Sequence, residues 1–485
     1  MKNILVSVTL ALMLLAGGCA SFRPRPINPA ETSSMLEARS LADTSLESFI
    51  EKNLHSTFSS WPPEKWNIDM LTLAALYFNP TLGVVKAQYQ LAKAGVKTAS
   101  QIPNPVLSLV PEYVTNPGGL SPWAPAVAIG EPILTAGKLG YQTEEAANLR
   151  QSAFYNLLAT AWSIRSRIRK DIVHVYADGQ RCVSLKEEEA AEDSIFEFTK
   201  QRFRDGEVSE QEVNAAGGAF YGAQVAYANA ISQHEEDKVA LAGAIGITEG
   251  KLDSVIFTSN TGPRIAFESF NQFPDTLVAF SRESMKEALT RRPDVLSALN
   301  EYKAAESNLQ LQIAKQFPNF DIGPGFKWDQ GQDKWSVGIS FSLPIFNQNQ
   351  GPIAEGEALR KEAEANFLAV QSAAITQIES ARTRYRFAFQ NLARADSLYA
   401  TQQEFLAAEI QKESVGEVGL LDEAYAWLSF VEAGLEKVRA FELAQNALGQ
   451  LEDALMTPLR RGEMNPANGN GVLTKSELMS EQGLK

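Results

Sequence analysis

Cysteine is nearly absent from this 485-residue chain, which holds only Cys19 and Cys182. A disulfide framework is thereby excluded, because at most one pair is available. Histidine is almost as scarce: His55, His174 and His234 stand far apart, and none has metal-ligand spacing. The chain also lacks a G-x-S-x-G elbow, a P-loop and a dinucleotide fingerprint. Its acids are scattered over helix surface, so no convergent catalytic site emerges, and neither an enzyme nor a cofactor is expected. Positive charge is in deficit, with 44 Lys and Arg against 58 Asp and Glu and a formal net charge of −14. That speaks against nucleic acid as a partner, which needs a basic surface, and against a basic face laid on anionic lipid. An acidic excess either favours cations in a channel or simply keeps the chain soluble. Beyond the leader, no apolar run reaches the ~20 residues of a membrane helix. If the chain crosses a bilayer, it must do so with strands.

What is there begins with an export signal. Lys2 supplies the charged start, residues 4–15 the short apolar stretch, and Ala16-Gly17-Gly18-Cys19 the small residues of a cleavage site. The placement of Cys19 resembles the lipobox of bacterial lipoproteins, in which that cysteine becomes the lipidated first residue. Ala16 stands where Leu is usual, and Ala20 follows in place of an Asp that would signal inner-membrane retention. Cleavage after Ala20 without lipidation is the alternative. Cys182 reads as a packed helix residue.

The most informative feature is internal repetition. Tyr77-Phe78-Asn79-Pro80 and Thr290-Arg291-Arg292-Pro293 each precede a helical stretch, which ends at Ile102-Pro103-Asn104 and at Phe317-Pro318-Asn319. Glu131-Pro132-Ile133-Leu134 answers to Leu343-Pro344-Ile345-Phe346, and Phe203-Arg204-Asp205-Gly206-Glu207-Val208 to Ser414-Val415-Gly416-Glu417-Val418. The landmarks keep one order at offsets of 210 to 215 residues. That period is far longer than solenoid repeats and marks a duplicated half-molecule, each half reading helix, strand, strand, long helix, turn, helix.

The clearest strand is 335–343. Trp335, Val337, Ile339, Phe341 and Leu343 alternate with Ser336, Gly338, Ser340 and Ser342. One face is fit for lipid and the other, made of small polar residues, for a lumen. Residues 320–328 are its expected partner, interrupted by Gly323-Pro324-Gly325, with a polar turn over 329–334. Residues 106–114 and 126–133 take the corresponding places in the first half, with Asn116-Pro117-Gly118-Gly119 opening the loop between them. A soluble sandwich with one wet face is the alternative. Four strands cannot close a barrel, so a spanning version must oligomerise, and three chains give twelve strands.

Residues 357–415 contain neither glycine nor proline for 59 residues, and 141–205 are broken only by Gly179. As continuous helix the first stretch extends ~90 Å. Alanines alternate with occasional large apolar residues among charges, as suits a tunnel wall packed along its seams and wet on both sides. Gly206 and Gly416 stand where each long helix should stop and turn back. The returning helices are expected over 209–246 and 420–456.

These residues resemble the TolC-like outer-membrane efflux family over positions 68–458. The most specific pieces are Leu343-Pro344-Ile345-Phe346 after the alternating strand, Ser414-Val415-Gly416 with Asp422 at the helical turn, and Ile245-Gly246 closing the first half. Phe346-Asn347-Gln348-Asn349-Gln350-Gly351 is similar to the heavy-metal resistance branch. The resemblance implies an α+β fold, a long α-helical barrel continued by a transmembrane β-barrel. Trimerisation completes that barrel, with four strands per chain and twelve in total. It implies a passive channel of a tripartite efflux system in the outer membrane of a Gram-negative bacterium, lipid-anchored, with a large periplasmic part. The implied partners are a homotrimer, a periplasmic adaptor (membrane fusion protein), an inner-membrane pump of RND or other type, and outer-membrane lipid. Asp422 matches the family's acidic ring at the periplasmic tip, and Glu417, Glu212 and Glu207 add charge there. The second ring acid falls on Tyr425, and the gate-linking positions fall on Glu413 and Val418, so the gate links do not carry over.

The expected organisation is a signal peptide (1–18), a lipidated N-terminal segment (19–66), a first repeat (67–247), an equatorial linker (248–280), a second repeat (281–458) and a disordered polar tail (459–485). The rival reading is a periplasmic structural coiled-coil lipoprotein without channel activity. It leaves unexplained why strand pairs recur at matching places in the two halves. The cargo leaves no mark in the chain.

Overall fold

The computed structural model describes residues 22–115, 118–119, 121–257, 263–271, 273–274, 282–460 and 462–467. Cys19, Asn116, Pro117 and the tail beyond residue 467 lie outside them. The chain divides into two units, Met1–Arg39 and Ser40–Lys485. The first contains α1 (Pro29–Glu37), started by the Asn28 side chain, which accepts from Ala30 N at 3.1 Å.

In the second unit, α2 (Thr44–Leu54), α3 (Ile68–Phe78) and α4 (Pro80–Ala99) lead to β1 (Val106–Tyr113) and β2 (Trp123–Ile133). There follow α5 (Lys138–Arg204), α6 (Glu210–Ile245), α7 (Glu249–Ile256), a 3-10 turn (Phe267–Asn271) and α8 (Arg282–Arg291). The second half closes with α9 (Pro293–Ala314), β3 (Phe320–Asp329), β4 (Gln332–Phe341), α10 (Gln350–Ser414) and α11 (Leu420–Leu455). The 67 residues of α5 and 65 of α10 extend ~100 Å each. Gly179 does not break α5, and α10 begins ahead of Gly351 and Pro352, where the first-turn proline removes no hydrogen bond. Among the described residues no single helix is long and apolar enough to cross a membrane.

Helices α4 and α6, and likewise α9 and α11, form two columns of matching length. Helix α4 packs on the sheet-proximal part of α5 and α6 on the rest, while α9 and α11 divide the facing side of α5 and α10 in the same way. Each column has a joint in the same place. Asn79 ends α3 and caps α4: its Oδ1 accepts from Thr81 N at 2.9 Å and its Nδ2 donates to Ala244 O at 3.0 Å, near the end of α6. In the second half Arg292 precedes Pro293 and donates from Nη1 to Ala454 O at 2.5 Å, near the end of α11. The duplication is thus visible as one contact made twice, once by an amide and once by a guanidinium.

The largest core lies where the linking segments gather on the middle of α5. Leu46, Ile50, Leu71, Leu73, Leu157, Ile168, Ile172, Leu252, Phe270 and Met464 are all buried there. Trp66 joins the linker through Trp66 N to Arg264 O (2.7 Å) and Ala266 N to Trp66 O (2.9 Å). These segments make a collar on one face of the helical layer. The tail differs from expectation at its start. Met464 is 7% exposed, Leu459 N donates to Glu452, and Glu463 pairs with Arg165, so part of residues 459–467 is fastened to the collar. A polar composition misleads here because its charges are answered by buried partners.

Candidate functional site

The four strands form one antiparallel sheet in the order β1-β2-β3-β4. The pairings Leu109↔Val127, Val127↔Phe326 and Phe326↔Trp335 run one row of side chains across the whole sheet, and Ile133↔Phe320↔Phe341 runs another. On that face lie Leu107, Leu109, Tyr113, Trp123, Val127, Ile129, Ile322, Trp335, Val337, Ile339 and Phe341, with Glu131 and Asp333 toward its two ends. Trp335 is 77% and Val337 72% exposed. The opposite face, apart from Val106 and Val110, carries small or polar residues: Ser108, Ala126, Ala128, Gly130, Gly325, Ser336, Gly338 and Ser340. Four of its charges form two pairs, Lys327 with Glu112 at 2.6 Å and Lys334 with Asp329 at 2.6 Å. Gly323 sits where the β2–β3 ladder is interrupted, and a Cβ there would fall 1.6 Å from Ile129 O.

Strands of 8 to 11 residues, at ~3.3 Å per residue and ~40° tilt, span ~20–28 Å, the height of an outer-membrane apolar band. An exposed apolar face of this extent is not a feature of a soluble monomer. The sheet does not close, because β1 and β4 each have one unpaired edge. In hydrocarbon every unpaired backbone group costs several kcal/mol, and a closed barrel needs at least eight strands.

The helical layer is open in the same sense. Its columns run α4/α6, α5, α9/α11, α10, and the two outer columns share no packed face. Those outer columns carry most of the exposed large apolar side chains of the layer, including Val84, Leu91, Tyr221, Val225 and Val239 on one and Leu359, Leu368, Phe387, Leu398 and Phe405 on the other. On α10 the buried stripe Ile378, Ala381, Tyr385, Leu392 and Ala395 faces α11 at heptad spacing.

The far end from the sheet is two turns with one geometry. Gly206 has φ 80° and Gly416 φ 78°, the left-handed conformation that glycine adopts without strain. Glu207 N donates to Arg202 O at 2.9 Å and Glu417 N to Lys412 O at 2.9 Å. Three residues further on, Ser209 N donates to Glu212 (2.7 Å) and Gly419 N to Asp422 (3.0 Å). Two of the four expected tip acids therefore cap the returning helices. The Ser209 backbone N–H, and then its hydroxyl, hold the Glu212 carboxylate below its ordinary range. Glu207 accepts from Arg202 Nε at 3.0 Å, and Glu417 is exposed beside Lys412. Among the described residues no hydrogen bond or ion pair joins the acids of one turn to those of the other, and no group of His, Cys, Asp and Glu is arranged to hold a metal.

One site escaped sequence reasoning. Arg165 and Arg169 of α5 are buried beneath the collar, where Arg165 Nη1 and Arg169 Nε each stand 3.2 Å from Glu452 Oε2. Arg169 also donates to Gln445 O and Oε1 at 2.8 and 2.9 Å, and Phe270 lies against both Arg169 and Arg460. Burial drives the Glu452 carboxyl upward, but Arg169, Arg165 and the Leu459 N–H outweigh it and hold it below its ordinary range. The only signal was charge at apolar heptad positions, Arg165 beside Ile164 and Arg169 beside Ile168.

Residues 285–456 match the family model described as outer membrane efflux protein. A search of curated protein sequences finds no match. Among solved structures, the outer membrane protein VceC of Vibrio cholerae is 17% identical with a TM-score of 0.64, over 81% of this chain and 97% of that one. The CmeC outer membrane channel of Campylobacter jejuni is 16% identical with a TM-score of 0.64, over 94% and 100%. The open-state MtrE outer membrane channel of Neisseria gonorrhoeae is 16% identical with a TM-score of 0.59, over 91% and 99%. At these identities the likeness establishes the fold: long helices with four antiparallel strands per chain.

Proposed function

We propose that this chain, whose residues 285–456 match the outer membrane efflux protein family model, is a member of that family and the exit duct of a tripartite export system, passing substrate from a periplasmic adaptor and inner-membrane pump to the exterior. The observation that carries the reading is that one chain holds two unfinished walls, a four-stranded sheet with a lipid-fit face and a four-column helical layer with apolar edges. Three copies finish both, giving twelve strands and twelve columns. The small polar face of the sheet then lines the pore, and the tip with Glu207, Glu212, Glu417 and Asp422 becomes an acidic entrance. Gly206 and Gly416 make the turns that adaptor and pump engage. The two repeats, 67–247 and 281–458, form equivalent parts of the wall, and the linker over 248–280 belongs to the collar.

Cys19 is read as the lipid-bearing first residue of the mature chain, a second anchor beside the barrel. Membership of the heavy-metal branch rests on residues 346–351. In that segment Asn349 caps α10 and donates from Nδ2 to Gln312 O at 2.7 Å, a structural role that leaves the cargo open. Detergent extraction tests the reading. A heat-sensitive trimer that conducts ions in a planar bilayer is expected, whereas a monodisperse single-subunit particle that needs no detergent would refute it.

A further inference from the structure

Helix α5 is two-faced where it passes the collar. Arg165 and Arg169 are buried on the collar side, while Arg167 and Lys170, half a turn round, are exposed on the other. Twelve columns at ~10 Å spacing close a ring whose bore is ~14 Å in radius, and three collars one helix thick would plug it from within. In the duct the collar therefore lies outside and Arg167 and Lys170 face the bore.

That face carries an open cavity of about 780 Å³ between α5 and α10, lying over the joint of α9 with α11. An adjoining cavity of about 650 Å³ shares Arg384 and Gln450 with it. The charged lining of the larger one is Arg167, Lys170, Arg292 and Arg384 against Asp294 and Asp453. Both acids are already engaged. Asp294 takes Arg292 Nε and Nη2 at 3.0 and 2.6 Å, and Asp453 takes Trp162 Nε1 at 3.0 Å and Ser166 Oγ at 2.6 Å. The three remaining cations are poorly matched. Among the described residues Arg384 has only the neutral Gln450 Oε1 at 3.2 Å, and Lys170 has no ion pair. Arg167 meets Asp171 at 3.6 Å. In a chain of net charge −14 this is a local inversion of sign.

We propose that Arg167, Lys170 and Arg384, repeated by three chains, form a cationic belt inside the bore that draws in anionic solutes, small molecules bearing phosphate or carboxylate groups. The proposal rests on the duct reading. Rings of fixed charge in a low-dielectric wall concentrate the opposite sign and repel their own.

The test is block of the reconstituted full-length duct in planar bilayers by inorganic tripolyphosphate. The wild type should be blocked at millimolar tripolyphosphate, less so as KCl screens the belt. Lys170→Gln with Arg384→Gln should weaken the block at least about tenfold, while the charge-keeping Lys170→Arg with Arg384→Lys retains it. A wild type indifferent to tripolyphosphate overturns the belt without recourse to any variant, as does equal block of the neutral variant. A wild type that forms no conducting pore overturns the duct itself.

Discussion

Replacing Glu452 with Gln removes one charge from a site where three guanidinium groups meet two carboxylates. Arg165 and Glu452 have side chains 0% and 1% exposed, and Glu452 Oε2 is shared by Arg165 and Arg169 at 3.2 Å each. Glutamine keeps the shape but enlarges the excess of positive charge already present and can set an amide N–H against guanidinium N–H groups. Breaking a buried pair from one side costs about 3–5 kcal/mol, because the surviving charge has no water to turn to. A 485-residue chain unfolding as one unit has an unfolding entropy of ~1 kcal/mol per degree at ~2.1 cal/mol/K per residue, so the melting temperature should fall by about 3–5 °C. Scanning fluorimetry of the purified protein in detergent reads this directly. The double variant Arg165→Met with Glu452→Gln should recover most of the loss. A single variant melting within about a degree of the wild type, or a double variant whose loss is the sum of the two singles, would refute the argument.

Four further outcomes are expected. Gly323→Ala places a methyl group on the Ile129 carbonyl, 1.6 Å away, and should deplete the heat-stable trimer on gels while leaving the helix content measured by circular dichroism near wild type. Burial, foremost, pushes the Asp69 carboxyl up to about 6, although it accepts from Met464 N at 3.1 Å. Its contribution to stability is therefore full below pH ~4 and lost as pH rises through 6; Asp69→Asn should flatten this dependence, and urea titrations at pH 4 and 7 that show equal wild-type-to-variant differences would count against it. Asp422→Asn keeps an acceptor for Gly419 N but removes the charge, so melting should hold while the cation preference in a KCl gradient falls; unchanged selectivity would argue against an acidic entrance. Cys19→Ser should abolish incorporation of labelled palmitate without abolishing the trimer.

Much of this architecture is legible in the chain because it depends on period and length. Alternation in residues 335–343 and the glycine-free stretch over 357–415 report strand and long helix directly. The strand ends are less legible. Strand β4 starts at Gln332, three residues before the alternation becomes apolar, because Gln330 (φ 47°) and Gly331 (φ 87°) make a tight turn. The charges that resemble a loop, Asp329 and Lys334, instead pair at the strand ends. Strand β3 runs through Gly323-Pro324-Gly325 without a break, since Pro324 still opposes Val337 in the sheet. Strand β2 begins at Trp123, where Pro125 disguises the alternation. The tip glycines and caps follow from local chemistry and could be found by spacing alone. The buried arginines could not. Their acid lies 287 positions away from Arg165, and the one local signal, charge at apolar heptad positions, does not name it. The belt over Arg167, Lys170 and Arg384 has the same property: only the stacking of columns brings its members to one face.

The joints at Asn79 and Arg292 divide the helical wall into rods of two mechanical kinds. Helices α5 and α10 are single beams from tip to sheet, while the columns beside them, α4/α6 and α9/α11, are each jointed part-way along. No continuous helical backbone crosses either joint, so bending α6 or α11 below it breaks no helical hydrogen-bond ladder, whereas bending α5 or α10 at the same height would.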